Sequence, residues 1–194
     1  MIRPYVTKQV SLLLPYLTGC QSILDFGCGD LSLAKALKET LPQTIITGVD
    51  VVDSGKRVSG VQFRLYDGEK LPYKNKTFDA TVVYHVFHHC SNPKASLADV
   101  MRVTKKTILM VEPIYRNVLD LFFMKIIDRL GNGWRSVAIS MPFTFQKEKT
   151  WQWWASEYGW SIHLVRDAGV LPGWLPFGVT KLFVLEKLAD SQDN

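Results

Sequence analysis

The stretch "SILDFGCGDLSLAKALKETL", residues 22–41, constrains the fold more than any other. Its first five residues set Ile23, Leu24 and Phe26 around one acid and fit a short buried strand. Gly27 and Gly29 then permit a sharp turn. Leu33, Leu37 and Leu41 recur at helical spacing, Lys35, Lys38 and Glu39 face away, and Pro42 stops the helix. A strand feeding a helix through a glycine turn is the opening unit of a parallel α/β sheet. The odd residue is Asp25, an acid at the tip of a buried strand. A turn built for phosphate has no use for negative charge there.

The unit repeats. "TIITGVD" (44–50), "VQFRLYD" (61–67), "FDATVVYHVF" (78–87) and "TILMVE" (107–112) read as further strands, three of them ending in an acid. Asn92-Pro93 caps a helix to about residue 103, and residues 5–18 form a first helix. A helix over 149–158 precedes two closing strands, "WSIHLVR" (160–166) and "VTKLFVLEK" (179–187), joined by the Pro/Gly/Trp-rich loop 167–178. The tail "ADSQDN" frays. The expectation is α/β: one domain over 1–194, a doubly wound, mostly parallel seven-stranded sheet with helices on both faces. Residues 1–20 are its N-terminal helix or lid, and 113–147 a substrate-side insertion. In such sheets ligands bind beyond the C-terminal strand ends. Asp50, Asp67, the 27–30 loop, His85 and Glu112 all fall on that edge.

A chain of 194 residues can bury one sizeable core, and 47% hydrophobic with 21% charged residues excludes disorder and a membrane bundle. The net charge is +5, but Lys and Arg form no long run, so DNA is not expected and RNA is disfavoured. Cys20, Cys28 and Cys90 have no metal-ligand spacing and fit a reducing, cytoplasmic compartment. Leu17-Thr18-Gly19-Cys20 resembles a lipoprotein cleavage box, but the apolar run before it is short and broken by Pro15. No stretch of ~18 apolar residues predicts a membrane span.

Carboxylates at successive strand ends explain the edge. Asp50 lies about 20 residues beyond the turn, where a ribose-binding acid sits in dinucleotide folds. Asp67 is one strand further, level with a base. Asp25, beside the loop, then faces a positive centre. A ligand with a carboxylate, a cation, a ribose and an adenine would use all four features, whereas a dehydrogenase is disfavoured because Asp25 would face its pyrophosphate.

On these residues the chain resembles the class I S-adenosylmethionine-dependent methyltransferases. Ile23 to Asp30 is similar to their motif I, "LDxGCGxG", and Gly48-Val49-Asp50 to their acidic ribose loop. "YDGEKLPYKNKTFDATVVYHVFHHCSNP", 66–93, resembles the pattern of the UbiE-like, or type 11, branch, and "LADVMRVTKKTILMVE" its next helix and strand. The resemblance covers 20–112. It implies a Rossmann-like fold and S-adenosyl-L-methionine as cofactor, with S-adenosyl-L-homocysteine as product. By carry-over, Asp25, Gly27, Cys28 and Gly29 cradle the methionine end. Asp50, with Val51 beside it, takes the ribose. Asp67 and the Gly68 amide take the adenine, and His85 stands near the methyl group as cofactor contact and candidate catalytic residue. Two departures stand out. Leu31 replaces the third motif glycine, which would crowd the helix start and weaken cofactor binding. Lys105-Lys106-Thr107 replaces the usual Pro-Gly-Gly turn.

The substrate side is legible only in outline. Residues 113–147 combine apolar bulk with Tyr115, Arg116, Trp134 and Arg135, the mix that an organic acceptor needs, and Glu112 would look into the gap. Tyr5 or Tyr16 would approach from the other side. Apolar residues at 118, 119, 122, 126 and 130 share a helical face that suits a lid, a homodimer or a membrane surface. His88 and His89 look like a metal pair, but neighbours diverge and no third ligand is spaced for zinc, so no metal is expected. Asp79 is structural, at the opposite edge. Trp151, Trp153 and Trp154 belong mainly to the core. The leading function is methyl transfer to a small or lipid-like molecule. A cofactor-binding protein without transfer activity, favoured by Leu31, and an RNA-modifying methyltransferase remain as alternatives.

Overall fold

A computed structural model of the chain describes residues 4–132, 141–168 and 179–188. The elements run α1 (Pro4–Leu17), β1 (Ser22–Phe26), α2 (Ser32–Thr40), β2 (Ile45–Asp50), β3 (Val61–Leu65), β4 (Phe78–Tyr84), α3 (Pro93–Val103), β5 (Thr104–Ile114), α4 (Val118–Asn132), α5 (Glu148–Glu157), β6 (Trp160–Asp167) and β7 (Val179–Lys187). They form a seven-stranded sheet in the order β3-β2-β1-β4-β5-β7-β6, parallel except for β7, which runs against both neighbours.

Strand side chains alternate between two cores, because successive residues point to opposite faces. Ile23, Val82, Val111 and Leu182 meet α1 and α2, while Leu24, Val83, Met110 and Phe183 meet α3 and α5. Helices therefore cover both faces, and the fold is Rossmann-like. The strand order turns back between β1 and β4, and the polar edge sits beyond that switch point.

Some boundaries differ from expectation. β4 stops at Tyr84 because His85 takes a left-handed backbone (φ 58°) and residues 87–89 make a tight 3₁₀ turn. β3 ends at Leu65, leaving Asp67 on the loop beyond it. β5 starts at Thr104, so Lys105-Lys106-Thr107 is strand rather than turn. The Thr104 hydroxyl stands 2.7 Å from the Val100 carbonyl and 2.6 Å from the Thr81 hydroxyl, which ends α3 directly in the sheet. Asp79 accepts from the amides of Gln21 and Ser22 and from Lys105, and so ties the N-terminal edge together. Trp151 is core, Trp154 half-buried, and Trp153 exposed.

Candidate active site

The glycine turn after β1 is held by its neighbours. The amides of Gly27 and Cys28 donate to the Val49 carbonyl at 2.8 and 3.1 Å. A Cβ on Gly27 would lie 2.5 Å from both Val86 methyl carbons, so only glycine lets the turn after β4 close on this loop. Gly29 needs its freedom for its left-handed φ of 52° alone.

Asp25 is 2% exposed, and its Oδ2 has no hydrogen-bond partner among the described residues. Burial, then the nearby Asp50 carboxylate, pushes its pKa up to about 7, against the pull of the Ala34 amide. An acid in this state is half ready to ionise for a cation. Asp50 accepts from Gly29 N at 2.7 Å and from Val52 N at 3.0 Å, which orients its remaining lone pairs outward. Cys28 is buried, and desolvation raises its thiol far from nucleophilic use. Asp67 is exposed and is held low by the amides of Glu69 and Lys70. A Cβ on Gly68 would come 3.2 Å from Val51 Cγ1, so the loops after β2 and β3 touch at these two residues.

On the far side of the turn, His85 stacks on Tyr84 with ring centroids 5.1 Å apart. Its Nε2 is buried with no hydrogen-bond partner among the described residues, and burial lowers its pKa to about 4, so it is a neutral imidazole. Glu112 does not look into the gap. Its Oε1 accepts from the amides of Val86 (2.6 Å) and Phe87 (2.8 Å), and its Oε2 lies 2.7 Å from His88 Nδ1. Burial alone would raise its pKa; the His88 charge and hydrogen bond and the Phe87 amide hold it below the ordinary value instead. Burial would likewise lower His88, but Glu112 and Asp128 push it to about 9, an imidazolium. Tyr115 is half-buried with Lys147 Nζ 5.5 Å above its ring, and Arg116 is bound to Asp120 at 2.8 Å. Trp134 and Arg135 lie outside the described residues.

A family model described as "Methyltransferase domain" matches residues 24–110. A demethylmenaquinone methyltransferase of Thermotoga maritima is 32% identical over 93 residues, 44% of this chain and 40% of that one. One of Deinococcus radiodurans is 27% identical over 126 residues, 56% of this chain and 52% of that one. The matches thus span about half or less of these relatives' lengths. An O-methyltransferase from a trans-AT PKS multienzyme of Brevibacillus brevis, in complex with S-adenosyl-L-homocysteine, shares the fold at TM-score 0.69 and 14% identity, over 93% of this chain and 72% of that one. Over residues 24–110 the chain is similar to the class I S-adenosylmethionine-dependent methyltransferases, and the relatives it matches there lie in their UbiE-like branch.

Against the methyltransferase pattern, Leu31 is accommodated. It keeps the left-handed backbone of the missing glycine (φ 61°), but its side chain is buried beneath β2, with Cδ2 2.7 Å from where a Cβ on Gly48 would sit. The glycine at position 48 makes the room, and the crowding expected at the helix start is absent. The histidine doublet also departs from expectation. The 3₁₀ turn brings the two rings to 4.1 Å, and one ligand atom each of His88, His89 and Asp128 lies within 4.8 Å of the others. Neighbouring histidines converge here because Asp128, from α4, supplies the third group. Two carboxylates flanking His88 fit an imidazolium.

Sequence reasoning missed the clamps. Asp30 bonds Lys56 at 2.8 Å and joins the glycine turn to the loop after β2. Asp99 and Arg102 hold the 71–75 loop, with Arg102 donating to the carbonyls of Tyr73 (2.7 Å) and Leu71 (3.0 Å). The only local signal for Asp128 was an acid inside an apolar helix.

Proposed function

We propose that the chain transfers a methyl group from S-adenosylmethionine to a small, lipid-like acceptor of the quinone type. The observation that carries this reading is the row of carboxylates Asp25, Asp50 and Asp67 at successive strand ends around the glycine turn. The orphaned Asp25 Oδ2 and the cradle at Gly27 and Gly29 fit the cofactor. Asp25, with Gly27, Cys28 and Gly29, would hold its methionine end. Asp50 and Val51 would hold the ribose, and Asp67 with the Gly68 amide the adenine. When bound, the cofactor supplies an electrophilic methyl on a sulfonium.

The chain's own residues then align and desolvate. Asp25 ionises against the cationic end, which a low-dielectric site rewards strongly. His85, neutral at physiological pH, offers its free ring nitrogen to the acceptor or the methyl end. With so low a pKa it orients better than it removes protons. Glu112, clamped to the turn, positions His85 instead of touching substrate. Residues 113–147 are read as the acceptor-side cover. The Thr144 hydroxyl reaches the carbonyls of His88 (3.2 Å) and Cys90 (3.0 Å), and Phe145 stacks on His88 at 4.9 Å. Tyr5, edge-on to Tyr84 at 6.4 Å, comes from the other side. Tyr115 and Arg116, with Trp134 and Arg135, are the acceptor-side candidates. The acceptor class follows the demethylmenaquinone methyltransferases among the relatives.

The test is calorimetric titration with S-adenosylmethionine and its demethylated product, followed by methyl transfer to a demethylated quinone. Asp50→Ala should weaken donor binding by ~1.5–3 kcal/mol, the scale of hydrogen bonds to a charged group. Unchanged affinity would reject Asp50's role, and no binding by the unaltered chain would reject the reading.

A further inference from the structure

α4 is turned inside out. Its acids face the protein: Asp120 is buried against Arg116, and Asp128 lies 3.7 and 3.8 Å from the Nε2 atoms of His88 and His89. Met124 is buried on the same side. The outward side carries Val118, Leu119, Phe122, Ile126 and Leu130, 80, 68, 58, 40 and 63% exposed. The charged residues that share that exposure are Lys125 and Arg129, both cations.

We propose that this face docks the chain onto the surface of an anionic lipid bilayer. The charge pattern selects the occupant. A face that is apolar and basic, with its own acids withdrawn, complements acyl chains beneath negative headgroups. A second copy is a poor fit, because a two-fold contact sets like patches against each other with no acid to answer Lys125 and Arg129. At 15 residues α4 is about 22 Å long, and no helix of the described residues is long and apolar enough to cross a membrane. It would lie in the plane of the interface. This deepens the lipid-acceptor reading, and rests on it for its purpose. Because α4 packs on the turn that holds His85 and His88, docking would open the acceptor side toward the lipid.

The experiment is co-sedimentation of the full chain with vesicles of phosphatidylcholine alone and of equimolar phosphatidylcholine and phosphatidylglycerol, at low and high salt. Binding only to the anionic vesicles, weakened by salt, is expected. Lys125→Glu with Arg129→Glu should lower partitioning ~25-fold or more, at about fivefold per cation near the surface. Leu119→Ser with Phe122→Ser should abolish it, while Lys35→Glu on α2 should leave it unchanged. Equal binding by all variants, or none by the unaltered chain, overturns the proposal. So does a dimer in light scattering that Phe122→Ser makes monomeric, since the face then belongs to a second copy. Donor titration of the same proteins separates the two readings. Lost vesicle binding with intact donor binding concerns α4 alone, whereas absent donor binding overturns the function and leaves the vesicle result standing.

Discussion

α2 and α4 read alike as sequence, each with an apolar stripe and charges opposite, and the fold uses them in opposite senses. α2 buries Leu33 and Leu37 and turns Lys35 and Glu39 to solvent. α4 turns its apolar stripe out and buries Asp120. Periodicity therefore identifies a face but not its direction. In α2 the inner surface offered is an apolar sheet. In α4 it is a pair of histidines, which Asp128 answers, while Asp120 turns inward to Arg116; leaving the buried His88 charge unpaired would cost more than leaving a leucine in water.

The comparison breaks first at its polar anchor. Glu112→Ala would strip one carboxylate from buried His88 and two amides of the turn, and should cost about 3–5 kcal/mol in denaturant unfolding. A loss under 1 kcal/mol would mean that the turn does not depend on it. Leu37→Ala, beneath α2, should cost about 2–5 kcal/mol by the same measurement. A mild result there would show that α2's stripe is no more anchored than α4's.

Asp25 sharpens the contrast between acids that have partners and one that waits. Its folded pKa of about 7 stands above the ordinary 3.8, so the folded state holds a proton that the unfolded state releases. Its contribution is whole below pH ~4 and is lost as pH rises to about 7. The melting temperature of Asp25→Asn, relative to the unaltered chain, should therefore climb across that window and level off above it, while donor affinity falls. A difference that stays flat with pH would show that Asp25 is already ionised. Least of all, Phe122→Ser on α4 should change stability by no more than about 0.5 kcal/mol. A cost of several kcal/mol would reveal a covered face.

The candidate donor side was legible because its features are local. Gly27, Gly29 and the strand-end acids announce themselves within a few residues, and Asn92 does cap α3 through the Ala95 amide. What escaped depends on distant partners or on single backbone angles. β4 reads as running through Val86 and Phe87 because both are apolar, but His85 bends the chain first. Glu112 carries no sign in the sequence that its oxygens are spent on residues 86–88. Leu31 reads as a misfit until Gly48, one strand away, is seen to have left it room.

The missing loop between α3 and β5 has a dynamic consequence. A helix that becomes a strand in one peptide step has no hinge, and Thr104 fastens the step to both sides. The amides around Thr104, with those beside Asp79, should exchange hydrogen only when the whole domain unfolds. Any breathing that admits cofactor or acceptor is then confined to the opposite end of the strands, where the 51–60 loop is held by the exposed Asp30–Lys56 ion pair, by Val58 packed on the core and by Arg57 over the Phe63 ring. The sheet works as a clamp with one fixed jaw, and its moving jaw is the edge that carries the glycine turn and the 51–60 loop.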